Sequence, residues 1–312
     1  MRKPAKIGGL LVAFGLLWAD YAVAQERSLN RVADGDFESG FVSLSLPAAE
    51  QFPMFSGGWA SRGRRVPDAV QETAFEGLVS MRIDTRPADP LQVIQDLPVN
   101  SPAYGMRFAF FIERGSQTVR LLDAWDRGRP DSGTPAFEAR ISTTGIRFTT
   151  PAGSWQFDGD VAPRQWHTLS VIADPRTDTQ SVRLDGVPLI LLPGVSPGRP
   201  STIVLGGSAT DSGAFRYDAI EVMSLVDLEL SMLRDAVSTL DIAARGAIGE
   251  RLAAAAAALD RGSTVLALPE LGVARNMLGT TALATENLRL AIEELMELME
   301  ASSERSERRR EQ

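Results

Sequence analysis

The sequence predicts a mainly β chain in two parts: a large β-sandwich followed by a small helical region. Three observations predict it. From about residue 27 to residue 225, short apolar runs alternate with period two between Gly, Pro, Asp, Ser and Thr. No helical pattern interrupts these runs, which points to a sandwich or barrel rather than an α/β fold. Near Val226 the period becomes helical, with Leu230, Leu233, Val237 and Leu240 recurring on one stripe. The chain is long enough for both parts. Its 312 residues are 44% hydrophobic and 23% charged, an ordinary globular balance that excludes a disordered chain or a multi-span membrane protein.

The first element is a leader. Arg2, Lys3 and Lys6 precede an uncharged, mostly apolar run from Ile7 to Trp18, and Ala22-Val23-Ala24 supplies small residues before Gln25. This is the pattern of a signal peptide over 1–24, cleaved on secretion. A membrane anchor needs about 20 apolar residues, and Asp20 cuts the run short. Cleavage removes Arg2, Lys3, Lys6 and Asp20 and moves the net charge from −8 to −10. An acidic chain without basic stripes argues against nucleic acid as a partner. Secretion without a single cysteine suggests a bacterial protein, secreted or periplasmic.

Strands are predicted at 106–112, 118–122, 137–142, 145–149, 155–157, 166–173, 180–184, 202–205 and 215–222. Breaks such as Thr143-Thr144-Gly145, Asp185-Gly186 and Gly206-Gly207 separate several of them. The helical module is predicted over 226–301. Its alanine run, Leu252 to Leu259, ends at Asp260-Arg261-Gly262, a C-cap pattern. A further helix follows Thr285, with Leu288, Ile292, Leu295 and Met299 on one apolar face. That face suits a bundle core, or self-association and docking to another protein. Residues 302–312 are polar and charged, and are expected to be a frayed helix end or a disordered tail.

Several stretches resemble a known superfamily. Asp34-Gly35-Asp36-Phe37-Glu38-Ser39-Gly40 with Gly58-Trp59, and the closing strand Tyr217-Asp218-Ala219-Ile220-Glu221-Val222, resemble the ends of secreted jelly-roll modules. Between them, Gln165-Trp166-His167-Thr168-Leu169-Ser170-Val171 and Ser181-Val182-Arg183-Leu184-Asp185-Gly186 resemble the strand and hairpin of laminin-G-like domains. The resemblance spans nearly all of 27–225 and implies a concanavalin A-like β-sandwich of the lectin/glucanase superfamily. Val93-Ile94-Gln95-Asp96-Leu97-Pro98 also resembles galactose-binding jelly rolls, which are shorter. The C-terminal stretch from Glu250-Arg251-Leu252 to Gly262 is similar to helical modules of the FIMAH type. It departs from them at Leu271 to Leu278, which lacks their phenylalanine.

Candidate chemistry follows. The single histidine, His167, shares a strand face with Leu169, Val171 and Ala173, so it reads as a packed, hydrogen-bonded residue rather than a base. Neither a G-x-S-x-G elbow nor a strand with paired carboxylates occurs, and glucanases need such a pair to divide acid and nucleophile roles. For Asp34, Asp36, Glu38 and Asp218 the resemblance implies a structural Ca2+ site joining the chain ends. An Asp/Gly-rich turn capped by its own side chains is the alternative. Trp125 is the leading ligand contact, in the loop-like stretch Asp123-Ala124-Trp125-Asp126-Arg127-Gly128-Arg129. There Asp123, Asp126, Arg127 and Arg129 could hydrogen-bond sugar hydroxyls beside the ring. Trp59 and Trp166 read as core or sheet-face residues, Trp155 is ambiguous, and Arg62, Arg64 and Arg65 read as a solvated loop.

These observations lead to a secreted, non-catalytic binding protein for a polysaccharide or cell-surface glycan. Two alternatives stay open: an envelope adaptor acting through its C-terminal helices, and a glycan hydrolase or lyase with an unrecognised site.

Overall fold

The computed structural model describes residues 32, 35–38, 59–62, 67–87, 90–97, 99, 101–123, 134–196, 198–207, 211–238, 240, 243–278 and 283–311. Residues 1–24, read above as a signal peptide, and the stretch 124–133 lie outside them. The described strands are β1 (Ala60–Arg62), β2 (Asp68–Val70), β3 (Ser80–Thr85), β4 (Gln92–Asp96) and β5 (Tyr104–Asp123). They continue with β6 (Thr134–Ser142), β7 (Gly145–Thr150), β8 (Gly153–Asp158), β9 (Trp166–Asp174) and β10 (Thr179–Leu184). The last are β11 (Val187–Pro193), β12 (Pro200–Leu205) and β13 (Ser212–Ser224). All pairings are antiparallel.

The pairings resolve into two layers that share β5. Its first half lies between β13 and β9, giving one layer in the order β2-β3-β13-β5-β9-β10-β11. Its second half lies between β12 and β6, giving the other layer in the order β1-β4-β12-β5-β6-β7-β8. The spacing predicts two strands here, 106–112 and 118–122; the chain instead makes one strand of 20 residues. Gly115 explains the merger. It adopts a φ of +74° opposite Gly213, and a Cβ there would lie 1.8 Å from the Ser212 carbonyl oxygen. Only glycine lets the strand turn between layers while it stays paired to β13.

Alternation then sorts each strand. Met106, Phe108, Phe110 and Ile112 of β5 point inward with Leu169 and Val171 of β9 and Phe215 and Tyr217 of β13. Phe137, Ile141, Ile146, Phe148 and Ile203 join the same core from the second layer, all fully buried. Two matching polar networks cross this core. The Tyr217 hydroxyl donates to Gln117 Oε1 (3.0 Å), and Gln117 Nε2 donates to the Ile83 and Gly213 carbonyls at 2.7 and 2.9 Å. The Tyr104 hydroxyl donates to Gln180 Oε1 (3.2 Å), and Gln180 Nε2 donates to the Ala136 and Gly194 carbonyls, both at 2.8 Å. Burial raises both tyrosine pKa values, assisted by the charges of Asp211 and Asp123 respectively.

β13 passes straight into the helical part. Its helices are α1 (Leu225–Ser238), α2 (Arg245–Asp260), α3 (Thr264–Met277) and α4 (Leu283–Glu311). The pattern predicts three helices, and α3 is the addition. Ser263 caps it by accepting from Leu266 N, and it tolerates Pro269 inside its second turn. Gly262 turns the chain between α2 and α3 at a φ of +72°. Leu252, Leu271, Ile292, Leu295 and Met299 form a second core, against which Leu288 packs. The apolar face read from the sequence of α4 therefore belongs to the bundle interior. Residues 302–311, expected as a frayed helix end or a disordered tail, continue α4. Ala103 and Ile172 of the sandwich join this second core, so the two parts touch. Among the described residues, no helix is long and apolar enough to cross a membrane.

Candidate functional site

The β-ladder registers place one row of side chains across the outer face of the first layer. Asp68 pairs with Arg82, Arg82 with Arg216, Arg216 with Phe111 and Phe111 with Trp166, crossing β2, β3, β13, β5 and β9. Because inward and outward positions alternate, this row is the reverse side of the Phe108–Phe110–His167 face. Phe111 and Trp166 lie with ring centroids 5.6 Å apart, and the Arg216 guanidinium sits 5.4 Å from the Phe111 centroid. Phe75, from the loop between β2 and β3, meets Trp166 edge-on at 5.9 Å. The result is a half-buried aromatic shelf with a cation against it.

Glu113 fixes the charged end of the shelf. Arg216 Nε donates to Glu113 Oε1 at 2.7 Å, and Arg82 Nε donates to Oε2 at 3.0 Å. Arg82 also reaches Asp68 at 3.2 Å, and Arg216 Nη1 donates to Thr73 Oγ1 at 2.6 Å. Burial pushes the Glu113 carboxyl up, but the hydrogen bonds and charges of Arg216 and Arg82 outweigh it and hold it below the usual range. A carboxylate held ionised this way cannot serve as a general acid, which needs a raised pKa. The arrangement suits binding: an apolar ring surface, with guanidinium and carboxylate groups fixed beside it.

The acids expected at a metal site hold the wall of this shelf. Asp218 is fully buried, and its Oδ2 accepts from Phe75 N (2.7 Å) and Glu76 N (3.1 Å). Its Oδ1 accepts from Ala219 N at 2.7 Å. Burial pushes this carboxyl up to about 6, partly offset by those three N–H donors. Glu38 Oε1 accepts from Leu78 N (2.7 Å) and Val79 N (2.9 Å). A Cβ on Gly77, whose φ is +64°, would lie 2.3 Å from Glu38 Oε1, so the clasp requires glycine there. Near Glu38, Ile220 N donates to the Gly35 carbonyl at 3.0 Å, so the first turn lies beside the last strand. Asp34 lies outside the described residues, and Asp36 is half-exposed. Both Asp218 oxygens and Glu38 Oε1 thus accept from backbone N–H groups, which makes a backbone clasp, and no group of three or more His, Cys, Asp or Glu among the described residues is placed to hold a metal.

The other expected residues are placed as follows. Asp123 ends β5, is 1% exposed and accepts from Ser196 Oγ. It pairs with Thr134 across the root of the 124–133 connection. Trp125, Asp126, Arg127 and Arg129 lie in that connection, outside the described residues, as do Arg64 and Arg65. His167 is 5% exposed, with Nδ1 2.8 Å from Asp185 Oδ2, Nε2 3.0 Å from the Ala162 carbonyl and its ring against Phe110. Trp59 is a fully buried core residue against Phe37. Trp155 is partly buried against the same core. A cleft of about 250 Å³ separates the sandwich from the helices, lined by Ser101, Arg199, Ser224, Ser263, Thr264 and Ser302 among others.

Sequence reasoning placed Trp166 opposite His167 but missed Phe111, Phe75, Arg216, Arg82 and Glu113 as its neighbours. Alternation alone would have put Phe111 on the outer face. The pairing of β5 with β13 and of β13 with β3, between stretches far apart in the chain, carries no local signal.

No protein-family model and no curated protein sequence matches the chain. Solved structures do match, at low similarity. A sialidase is similar at 11% identity and a TM-score of 0.42, over 63% of this chain and 21% of that one. The carbohydrate-binding module CBM66 from Bacillus subtilis is similar at 12% identity and a TM-score of 0.36, over 54% and 96%. The VIP36 exoplasmic/lumenal domain, in a Ca2+/Man3GlcNAc-bound form, is similar at 11% identity and a TM-score of 0.40, over 55% and 85%. This chain thus spans about a fifth of the sialidase's length. Every one of these scores is below 0.5, and none bears on this chain's ligand. The class of the protein rests on its own architecture: an antiparallel two-layer β-sandwich carrying four C-terminal helices.

Proposed function

We propose that this chain is a secreted, non-catalytic binding protein of concanavalin A-like type that recognises a polysaccharide or cell-surface glycan through its sandwich. The observation that carries the reading is the shelf of Phe75, Phe111 and Trp166 beside the Arg82–Glu113–Arg216 lattice. An aromatic face packs against the apolar face of a pyranose, and fixed polar groups beside it hydrogen-bond the hydroxyls. The lattice is preorganised by its own ion pairs, which reduces the ordering cost of binding. Trp125, Asp126, Arg127 and Arg129 supply a second contact at the 124–133 connection, with Asp123 anchoring its root. The calcium part of the reading rests on Asp34 and Asp36, with Glu38 and Asp218 holding the adjoining backbone.

The test is retention on insoluble polysaccharides and a glycan array, with and without EDTA. Trp166→Ala is expected to weaken binding about tenfold, the effect of losing roughly 1.4 kcal/mol of ring contact. Trp125→Ala reports on the second contact, and loss of binding in EDTA would assign the acids to an ion. No retention on any glycan by a chain with native circular dichroism would sink the reading.

One observation favours a second reading, an adaptor acting through the helices. Leu266, Val273 and Met277 share an exposed face of α3, with Leu266 57% exposed.

A further inference from the structure

The seam between sandwich and helices carries more acid than base. Asp174 ends β9, Glu229 lies on α1 and Glu294 on α4, and Arg176, in the turn after β9, is the cation that acts among them. Asp174 takes most of that cation. Arg176 Nε and Nη2 donate to its two carboxylate oxygens, each at 3.0 Å, and the Arg176 backbone N–H donates to it at 2.9 Å. Arg176 Nη1 reaches the backbone carbonyl of Glu294 at 3.5 Å, not its carboxylate. Glu294 Oε2 is buried without a hydrogen-bond partner among the described residues. Glu229 is only 9% exposed, among the buried Leu225, Val226, Leu230 and Leu233 of its own helix. With every group ionised, three carboxylates face one guanidinium in a half-dry contact, and the excess is two negative charges.

We propose that this seam is a proton-operated contact: a proton on Glu229 holds α1 and α4 against the β9–β10 turn, and its loss loosens the helices from the sandwich. The charged groups that bear on Glu229 are Asp174 and Arg176 from the β9 side and Glu294 from α4. Burial, with the charges of Asp174 and Glu294, pushes its carboxyl up to about 7 against the pull of Arg176. A released Glu229 titrates near its ordinary value of 4.5. The docked form therefore holds a proton that the released form has lost throughout pH 4.5 to 7. Docking is strongest below that window, weakens as pH rises through it and is level above it. One proton per opening event raises the opening constant by up to about tenfold per pH unit, less near either end of the window, and roughly 40-fold between pH 5 and pH 7.

Amide hydrogen exchange on the full chain tests this, with protection factors corrected for intrinsic rates at pH 5, 6, 7 and 8. Protection of α1 and α4 is expected to fall about 40-fold from pH 5 to pH 7. Glu229→Gln, isosteric and neutral, is expected to keep the acid-side protection at pH 8. Glu294→Gln removes one neighbouring charge and is expected to move the levelling-off to lower pH. Protection that is flat from pH 5 to pH 7 overturns the proposal. So does a fall that Glu229→Gln leaves in place, or a levelling-off that Glu294→Gln does not move.

Discussion

The two cores are built from different materials. The sandwich interior is large and aromatic: Trp59, Tyr104, Phe108, Phe110, Phe137, Phe148, Phe215 and Tyr217 are all fully buried. Two matched networks cross it, in which the Gln117 and Gln180 amides each bond two carbonyls and a tyrosine. The bundle interior is smaller and aliphatic: eight buried leucines with Ile248, Ile292, Val226, Val237 and Met299, and Ala255, Ala258, Ala267 and Ala274 between them. A buried polar feature at its edge, the Glu229 seam, is left short of cations. Large rings and bonded networks specify a single packing, whereas aliphatic side chains without such networks repack at lower cost. The rigid part therefore suits a preformed binding face, and the softer part suits a contact that conditions can change.

Matched core truncations break this comparison most strongly. Phe108→Ala is expected to cost about 3–5 kcal/mol, because the rings around it cannot close on the hole. Leu252→Ala is expected to cost about 2–3 kcal/mol, because its alanine neighbours let the helices approach. Urea unfolding separates the two. Every tryptophan after Trp18 lies between residues 27 and 225, so fluorescence follows the sandwich while ellipticity at helical wavelengths follows the bundle. Equal losses in both signals for both variants would mean that one cooperative unit hides the difference.

A smaller effect sharpens the polar half of the contrast. Gln117→Leu keeps the volume but strands the Ile83 and Gly213 carbonyls and the Tyr217 hydroxyl. It is expected to cost about 1–3 kcal/mol in the urea midpoint followed by fluorescence. No loss would show that water satisfies these groups and that the network does not specify the core.

The contrast also explains what was legible. The sandwich was read from alternation because its strands are buried on one face, and β9 shows the pattern fully: Leu169, Val171 and Ala173 in, Thr168 and Ser170 out. β11 was missed because Val187 to Pro193 is a continuous apolar run bounded by prolines. As an edge strand it leaves Val187 and Leu191 more than 60% exposed. α3 was missed because Pro269 reads as a helix breaker, although near the helix start it removes a single backbone bond. Glu38 and Asp218 were singled out for a calcium site joining the chain ends, and the structure shows them clasping the 75–79 loop. Their partners are the backbone N–H groups of 75–79, which every residue there except proline offers, so the residue types of that loop could not reveal them. The row from Asp68 to Trp166 depends on strand order, which no local window contains.

The smallest expected effect concerns the outside of the softer part. Leu266 and Met277 lie on the exposed face of α3, outside the bundle core. Leu266→Glu with Met277→Glu is expected to change the helical unfolding midpoint by less than about 0.5 kcal/mol, as surface substitutions do. The bundle does not need these side chains for its own packing, so a large loss would mean that the face is covered in the folded chain. If stability holds while a mass measurement shows that the natural chain self-associates and the double variant does not, the α3 face is what the helices contribute to binding. If neither chain associates and glycan retention is unchanged, the helices act only through their contact with the sandwich, and the Glu229 seam becomes their working part.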